Sequence, residues 1–375
     1  MVIRYHEVVG AFHSPSAGFT WEDWDLTTYG VPGNCVVEVM VTFPRIQSGS
    51  EIEGRPGIRE NGSALSRVTI LSTYVGTAQR CTMRCNVDAD GVIEIYDNYL
   101  SFPANPHCQF QVMGYYAGAT YTEANISLNF TDGTWVTNDL YTSDGIPKGS
   151  VVDIMLGPGK EGGVQEAGVR EYGETGRTYL MKDTWYDYGQ NTISIYETTD
   201  ASGGRIQTYC DDATYMGDGN LVLGYWDQSV EHTVVDQITV PSGASSWVDH
   251  DLDTYSIPTN VVAVFILYNR EDNTVNTIGV REDGSSLTRY VNMDKGELVG
   301  ADYYATCGTM SIQVTGSDSR VEMYTSDTTY GYLILDGYLK TKGKLAKIDN
   351  IAMASIAKID NIAIANIIAI NNIPI

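Results

Sequence analysis

The sequence predicts an all-β protein made of three tandem antiparallel β-sandwiches, of jelly-roll or Ig-like strand order, followed by an isoleucine-rich tail. Three observations support this prediction. Short segments alternate apolar and polar residues, turn signals recur about every 8 to 12 residues, and no convincing amphipathic helix interrupts them. One set of residues also recurs three times along the chain, and the last stretch repeats on a shorter period.

A tryptophan opens each copy of the long repeat, and the copies lie roughly 110 residues apart, which is the length of a domain. An Asp-Leu pair, a proline, a Gly-x-Arg-Glu-x-Gly segment and a second arginine follow. We therefore predict modules at 1–118, 119–228 and 229–340, and a tail at 341–375. The retained residues that we select are Trp21, Asp25 and Arg59, then Trp135, Asp139 and Arg170, then Trp247, Asp251 and Arg281. The second arginines are Arg67, Arg177 and Arg289.

The first module illustrates the expected strands. Trp21 begins a strand, residues 30–34 form a turn, and Cys35 to Phe43 alternates as a half-buried strand does. Asn61-Gly62 predicts a tight two-residue hairpin, because this pair readily takes the positive φ angles of such turns. A pair of strands at 92–96 and 108–112 closes the module.

The other two modules repeat this pattern. In the second module we match Ile193–Tyr196 to the strand at 92–96, and Leu221–Tyr225 to the closing strand. In the third module the matching segments are Val321–Tyr324 and Tyr332–Tyr338, and Asp283-Gly284 takes the place of Asn61-Gly62. The strand order within a sandwich does not follow from these matches.

The tail carries an 11-residue repeat, at 347–357 and 358–368, with a partial third copy at 369–375. Such a period is compatible with a right-handed helical coil, but β-branched residues beside Asx pairs favour short strands joined by turns. So many isoleucines indicate an interface, for assembly or anchoring; the alternative is a strand pair folded back on the third module. The isoleucines that we assign to assembly are Ile348, Ile351, Ile356, Ile359, Ile362, Ile364, Ile367, Ile370 and Ile373.

The Lys-Ile-Asp-Asn-Ile-Ala-x-Ala-x-Ile unit of the tail resembles the Lys-Ile/Val-Asn-Gly-Val-Ala-x-Ala-x-Ile terminal repeats of bacteriophage and prophage structural proteins. This chain differs in having Asn350, Asn361 and Asn372 where glycine is usual, and Ala369 where lysine is usual. The resemblance implies a virion protein of the head-fibre, capsid-decoration or tail-fibre type. The modules are similar to the tandem sandwiches of virion fibres at the level of fold alone.

The retained Trp, Asp and Arg residues have two interpretations. Each Trp either fills a core, which we favour, or stacks on sugars in one of three equivalent sites. A charge repeated once per module suits a fixed ion pair. We therefore predict pairs Asp25–Arg59, Asp139–Arg170 and Asp251–Arg281. The glutamates that follow each arginine are the alternative partners.

Composition excludes several functions. The chain has 47 acidic and 23 basic residues, a net charge of −24, which repels nucleic acid and anionic membranes. The N-terminal residues lack the features of a signal peptide and no 18-residue apolar run occurs, so we expect synthesis in the cytoplasm. The six cysteines do not recur between modules, and we expect free thiols.

Motifs of catalysis or cofactor binding find little support. Residues 157–162 match a dinucleotide-binding glycine pattern without its strand-turn-helix context. Asp88, Asp90 and Glu94 supply part of a calcium loop, but a plain turn is the better interpretation. The five histidines are scattered. We therefore predict a protein that is not an enzyme, with no cofactor and no metal.

The expected function is that of a non-enzymatic virion protein, made in the host cytoplasm, that displays its modules and attaches or oligomerises through the tail. The expected partners are other virion proteins and further copies of the chain, for which a trimer is one option. The alternative is a glycan-binding adhesin that recognises a host surface, followed by a polysaccharide hydrolase with two carboxylates hidden in this acidic chain.

Overall fold

The computed structural model is built almost entirely of antiparallel β-sheets, which confirms the all-β fold class. Units 1, 2 and 3 denote residues 1–118, 119–228 and 229–340 below. The structure describes residues 2–16, 18–43, 52–69, 71–73, 79–98, 108–156, 165–173, 179–183, 191–196, 204–216, 220–239, 241–269, 275–293, 298–299, 302–303, 307–315, 318–329, 331–342, and the tail pairs 347–348, 351–352, 358–359, 362–363, 369–370 and 373–374.

The strands of unit 1 are β1 (Arg4–Glu7), β2 (Phe12–His13), β3 (Trp21–Asp25), β4 (Val36–Phe43), β5 (Ile52–Gly54), β6 (Gly57–Glu60), β7 (Leu71–Thr73), β8 (Gln79–Asn86), β9 (Val92–Tyr96) and β10 (Gln109–Ala117). Those of unit 2 are β11 (Tyr121–Ser127), β12 (Val136–Asp139), β13 (Val151–Leu156), β14 (Gln165–Glu171), β15 (Tyr179–Asp183), β16 (Asn191–Tyr196), β17 (Arg205–Cys210) and β18 (Leu221–Trp226). Those of unit 3 are β19 (Val230–Thr239), β20 (Val248–Asp251), β21 (Val261–Asn269), β22 (Asn276–Glu282), β23 (Tyr290–Met293), β24 (Leu298–Val299), β25 (Asp302–Tyr303), β26 (Cys307–Val314), β27 (Arg320–Thr325) and β28 (Gly331–Thr341).

Helical structure among the described residues is short. The α-helix α1 (Leu140–Asp144) follows β12, and the Asp139 side chain caps it by accepting a hydrogen bond from the Thr142 N–H at 2.8 Å. Single 3₁₀ turns at 27–29 and 253–255 occupy the corresponding places after β3 and β20, and a further one lies at 213–215.

The units share one strand order. Unit 2 has an inner sheet β11-β18-β13-β16 and an outer sheet β12-β17-β14-β15, and unit 3 has β19-β28-β21-β26 and β20-β27-β22-β23. We number the strands of each of these two units in chain order, leaving out the small β24-β25 pair of unit 3. The inner sheet then has the order first-eighth-third-sixth and the outer sheet has the order second-seventh-fourth-fifth. Unit 1 has the same inner order, β1-β10-β4-β8, with β2 added to β10, and an outer sheet β3-β9-β6. The segments β5 and β7 pair separately.

Successive strands often lie in opposite sheets. The predicted strand pair at 92–96 and 108–112 is an example, because its two strands do not pair with each other. The strand β9 pairs with β3 and β6, whereas β10 pairs with β1, β2 and β4. Both strands nevertheless occur where the sequence predicts them. A hydrophobic core therefore fills the space between the two sheets of unit 1, formed in part by Val37, Val39 and Ile95.

The central inner strands are buried on both faces. Residues 36–41 of β4, 151–156 of β13 and 261–267 of β21 are all buried. One face of each strand covers the core of its own unit, and the other face meets the neighbouring units. A separate core cluster draws residues from all three units, among them Tyr116, Trp226 and Leu339.

The inner sheets close the units into a ring. The sixth strands of the units, β8, β16 and β26, contact one another in pairs. The first strand of each unit contacts the sixth strand of a neighbour: β1 contacts β26, β11 contacts β8, and β19 contacts β16. This cyclic pattern arranges the units about a common axis with the inner sheets facing it, rather than in a row.

One prediction about local structure is confirmed in part, and another is wrong. The turns at Asn61-Gly62 and Asp283-Gly284 form, and both glycines have positive φ, at 75° and 71°. However, strand pairing resumes only at a bridge of Val68 and at β23, so the loops are wider than a two-residue hairpin. In unit 2 the partner of the β12 strand is β17, not the segment Ile193–Tyr196, which lies in inner strand β16.

The described part of the tail consists of three short antiparallel pairs: β29 (Lys347–Ile348) with β30 (Ile351–Ala352), β31 (Lys358–Ile359) with β32 (Ile362–Ala363), and β33 (Ala369–Ile370) with β34 (Ile373–Pro374). Ile348 faces Ile351, Ile359 faces Ile362, and Ile370 faces Ile373 in the backbone register. Ile356, Ile364 and Ile367 lie outside the described residues. The role of the tail in assembly stays a prediction.

Candidate functional site

Charged residues lie inside the apolar inner strands. Alternation along β4 sends Val37 and Val39 into the core of unit 1, so Glu38 between them faces the ring axis. Asp153 holds the matching place in β13. Glu38, Asp153 and Arg84 of β8 all have 0% exposed side chains in the structure. Burial of this kind requires that each charge find partners.

Arg84 joins units 1 and 2 at the axis. Its Nη2 lies 3.1 Å from Glu38 Oε2, its Nη1 lies 2.9 Å from Asp153 Oδ1, and its Nε donates to the Tyr116 hydroxyl at 2.9 Å. Tyr116 in turn donates to Glu38 at 2.8 Å. One guanidinium therefore bridges two carboxylates that belong to different units.

Ser311 of β26 brings unit 3 into the same network. Its backbone N–H donates to Glu38 Oε1 at 2.9 Å and its hydroxyl donates to Glu38 Oε2 at 2.6 Å. We name Glu38, Arg84, Tyr116, Asp153 and Ser311 the axial network. Because its members come from all three units, it can form only when the ring is closed.

The electrostatics of the axial network favour the charged forms of Glu38 and Arg84. Burial raises the pKa of the Glu38 carboxyl, but the Arg84 charge and the Ser311 hydrogen bonds outweigh burial and the pKa is lowered. Burial acts to lower the pKa of Arg84, and its neighbours Asp153, Tyr116 and Glu38 raise it well above the usual value. Burial also raises the pKa of the Tyr116 phenol well above its usual value. At neutral pH the network thus holds charged Glu38 and Arg84 and a neutral Tyr116.

A buried arginine also locks unit 1 to unit 2. Arg67 is fully buried, and its Nε and Nη2 donate to the Leu223 carbonyl at 3.0 and 2.8 Å, across the junction. Its other donors reach the carbonyls of Ile58 and Arg84. Glu123 of unit 2 lies 3.4 Å from Nη1. The guanidinium thus satisfies backbone acceptors on both sides of the junction.

Arg289 makes the corresponding contacts from unit 3 into unit 1. Its Nε donates to the Met113 carbonyl at 3.1 Å, its Nη1 to Val280 at 3.0 Å, and its Nη2 to the Tyr5 hydroxyl at 2.7 Å. Glu7 Oε1 lies 3.7 Å from Nη1 of Arg289. Tyr5 donates to Glu38 at 2.9 Å, so this junction connects directly to the axial network.

Each of these two junctions also has a glutamate that accepts hydrogen bonds from the turn of the adjoining unit. Glu123 accepts from the backbone N–H groups of Glu60 and Asn86 at 3.0 and 2.9 Å. Glu7 accepts from the Glu282 N–H at 2.9 Å. Burial raises the pKa of Glu123 even though Arg67 and these N–H groups act to lower it. The two junctions are therefore built from equivalent residues.

The outer sheets carry the retained Trp and Arg residues in three similar clusters, which we call plates. In each plate an arginine lies over a tryptophan ring and a tyrosine packs beside that ring. The Arg59 guanidinium lies 4.0 Å from the Trp21 ring centroid, and its Nε donates to Glu94 at 2.7 Å. Tyr96 packs beside Trp21, with centroids 5.2 Å apart. The plates of the other units are Trp135, Arg170, Gln207 and Tyr209 in unit 2 and Trp247, Arg281, Glu322 and Tyr324 in unit 3.

The predicted Asp–Arg pairs are wrong. The strand register explains this, because Arg59 lies opposite Glu94 in β9, whereas Asp25 lies opposite Val92 at the far end of the pairing. Asp25 instead accepts from the Thr27 N–H at 2.8 Å. Asp139 caps α1, and Asp251 accepts from the Asp253 N–H at 2.9 Å. The retained aspartates therefore serve the turn after each strand.

The three tryptophans are half-buried on the outer surface, so neither interpretation of them holds in its simple form. They do not fill a core between sheets, where Trp24 lies instead in unit 1. An arginine lies over one ring face in each unit, so that face is not available for stacking on a sugar. The plates hold together the strands of the outer sheets.

The remaining sequence motifs act locally or lie outside the described residues. Asp88 accepts from the N–H groups of Asp90 and Val92 at 3.0 and 2.7 Å, as a turn does. In the part of the chain that the structure describes, no three His, Cys, Asp or Glu residues are placed to bind a metal. Residues 157–162 are not described. Five cysteines are buried free thiols, and burial raises the pKa of Cys210 to about 11.

Sequence reasoning missed the axial network. A signal was present, since Glu38 and Asp153 each interrupt an otherwise apolar strand, Val-Val-Glu-Val-Met and Val-Val-Asp-Ile-Met. An acid in such a place indicates a buried partner. The sequence repeat identifies Arg67 and Arg289 but indicates no role for them, and its third member, Arg177, lies outside the described residues. Tyr116, which completes the network, is fully buried, whereas its neighbour Tyr115 is half-buried.

Neither a protein-family model nor a curated protein matches this chain. Within the described ranges, none of the helical segments has the length and apolar character needed to cross a membrane.

Proposed function

We propose that this chain is a non-enzymatic structural protein of a bacteriophage particle, in which three jelly-roll modules form a closed knob and the isoleucine-rich tail attaches or oligomerises it. The strand orders first-eighth-third-sixth and second-seventh-fourth-fifth are those of a jelly roll. They support three modules of this type with boundaries near 118, 228 and 340.

The observation that supports a structural role is the closed ring. The axial network and the Arg67 and Arg289 junctions bury charged groups between units that could otherwise remain independent. Such a ring is a rigid body suited to permanent display. Because the inner sheets are already occupied by one another, a further copy of the chain or a virion partner must bind elsewhere, and the tail is the segment with the required apolar character.

The phage assignment rests on the tail repeat. Proteomic analysis of density-purified phage particles from a culture that produces the chain tests it. We expect peptides of this chain at a stoichiometry similar to that of other minor virion proteins. Their absence from infectious particles, with the chain abundant in the lysate, would refute the assignment.

The assembly role is tested by light scattering of the full chain beside a chain ending at Lys342. We expect a defined oligomer for the full chain and a folded monomer for the shortened one. The matched control keeps the length of the tail and carries Ile351→Asp and Ile362→Asp, and it should also be monomeric. If the full chain is a monomer as well, the tail does not assemble the protein.

A further inference from the structure

A cleft of about 630 Å³ opens between units 1 and 3. It is lined in unit 1 by strand β1, Tyr29 and Tyr115 of β10, and in unit 3 by the turn after β22. A second cleft of about 440 Å³ shares His6 and Glu282 with the first. The two clefts adjoin along β1, at the junction that Arg289 closes, and together we call them the groove; the first cleft is the more polar, and the exposed Arg4 lines the second.

Aromatic rings provide one side of the groove. His6 stacks on Tyr115 with centroids 4.8 Å apart and an interplanar angle of 22°. His6 is exposed, and Tyr115 is half-buried against the core of unit 1. Tyr29, 37% exposed, packs edge-on against the buried Trp24. These rings are held by packing before any ligand arrives, which lowers the entropic cost of binding.

Polar groups provide the other side, and they are also held in place. Glu7 accepts from the Glu282 N–H at 2.9 Å and from the Ser285 hydroxyl at 3.1 Å, which fixes the turn against unit 1. The Glu282 carboxylate accepts a hydrogen bond from the Thr315 hydroxyl. Asp283 and Ser286 on the same turn are exposed and line the cleft.

We propose that this groove binds a neutral or amino sugar unit of a glycan. The C–H face of a pyranose ring is apolar and packs on an aromatic ring, while its hydroxyls donate to carboxylates and exchange hydrogen bonds with serine hydroxyls. Both kinds of group line the groove. In the first cleft the carboxylates of Glu7, Glu282 and Asp283 outnumber the basic groups of the lining, and in a chain of net charge −24 they disfavour acidic sugars and phosphate there.

The junction between units 1 and 2 lacks these features and provides an internal control. The register that places His6 opposite Tyr115 places the exposed Thr122 opposite Tyr225 there. Asn61 takes the place of Asp283 in the turn. Thr122 therefore provides no aromatic ring at the position that His6 holds in the groove. We expect one sugar site per chain at these two junctions.

Saturation-transfer NMR on the full chain tests the site with glucose, N-acetylglucosamine and glucosamine, and with N-acetylneuraminic acid as the acidic comparison. We expect at least one of the first three to bind and the acidic sugar not to bind. His6→Ala, at an exposed position, should weaken binding about threefold to tenfold through the lost stacking surface. Asp283→Asn should weaken glucosamine more than glucose.

Thr122→Ala is the matched control and should leave binding unchanged. Circular dichroism of each variant confirms that the fold is retained. The proposal is overturned if none of the three sugars binds, or if binding survives unchanged in both His6→Ala and Asp283→Asn. It does not rest on the virion assignment, because the groove is a property of the ring itself.

Discussion

The inner and outer sheets of the ring use arginine in different ways. On the outer sheets Arg59, Arg170 and Arg281 make nearly the same contacts three times, each over a tryptophan ring. At the axis one arginine, Arg84, occupies a position that in β26 is held by Ser311. Repetition on the outside maintains each unit, whereas divergence on the inside makes the three units distinct.

Because of this divergence, the three units contribute different residues to the axis. In the register of the inner strands, Glu38 of β4 corresponds to Asp153 of β13 and to Val264 of β21. An exchange of two units would change which of these residues lie beside Arg84. We infer that the axial network selects the order of units around the ring, as a buried polar group can fix register elsewhere.

The largest expected effect comes from breaking the axial network. Arg84→Met leaves Glu38 and Asp153 buried without their cation, and removal of one partner of a buried pair costs about 3 to 5 kcal/mol. Urea unfolding followed by circular dichroism and tryptophan fluorescence measures this loss.

The triple variant Arg84→Met, Glu38→Met and Asp153→Leu is the control, because an apolar set of similar volume removes the uncompensated charges. It should recover the part of the lost stability that comes from uncompensated charge, but not the part lost because the Ser311 N–H and the Tyr5 and Tyr116 hydroxyls no longer have Glu38 as acceptor. If Arg84→Met alone unfolds at the same urea concentration as the unaltered protein, the network does not hold the units together.

The next largest loss of stability is expected for the buried arginines of the junctions, and it should exceed the loss for an arginine of the plates. Arg67→Ala or Arg289→Ala leaves buried backbone carbonyls without donors, and we expect a loss of about 2 to 4 kcal/mol in unfolding free energy. Arg59→Ala on the outer sheet should cost about 1 kcal/mol, because its ion pair is partly exposed to solvent. Equal losses for Arg67→Ala and Arg59→Ala would contradict the distinction drawn between the two regions.

The all-β class could be predicted from the sequence because strand alternation is local information. The strands at Trp21, at 36–43 and at 92–96 all lie where period-two patterns place them. The Asp–Arg pairs could not be predicted, because they depend on register. Asp25 and Arg59 belong to strands that both pair with β9 but at different positions along it.

The same limit explains the misplaced strand of unit 2. Two successive strands, β16 and β17, each present alternating residues and a tyrosine near the end, so the local pattern does not separate Tyr196 from Tyr209. Packing against Trp135 identifies Tyr209 as the residue of the plate. The axial network depends on contacts between units, up to 273 residues apart in the case of Glu38 and Ser311, and no local pattern contains that information.

Acid should affect the two buried glutamates in opposite directions. The pKa of Glu38 is lowered in the folded state, so its ionised form stabilises the fold above the unfolded pKa, about 4.3, and this contribution is lost as pH falls through the folded pKa. The pKa of Glu123 is raised, so ionisation of Glu123 destabilises the fold above that raised pKa, and acidification relieves the cost.

Urea unfolding between pH 7 and pH 3 of the unaltered protein, Glu38→Gln and Glu123→Gln measures both effects. The stability advantage of the unaltered protein over Glu38→Gln should shrink as pH falls. Its stability relative to Glu123→Gln should instead improve. Parallel pH profiles for the two variants would show that the Arg84 environment does not favour the Glu38 charge.

The smallest effect concerns the one plate that differs from the others. Arg170 donates to the neutral Gln207 at 2.9 Å, where Arg59 and Arg281 pair with Glu94 and Glu322 at 2.7 and 2.8 Å. Gln207→Glu should therefore create the missing ion pair and stabilise the protein by about 0.5 kcal/mol.

The reverse change, Glu94→Gln, should destabilise unit 1 by a similar amount, and 1 M salt should reduce both effects because these groups are partly exposed. Urea midpoints at low and high salt measure the difference. A loss of stability for Gln207→Glu would mean that repulsion from the net charge of −24 outweighs the local pair. The neutral glutamine would then limit acidic charge at the outer sheet of unit 2, and the three plates would not be equivalent in their electrostatics.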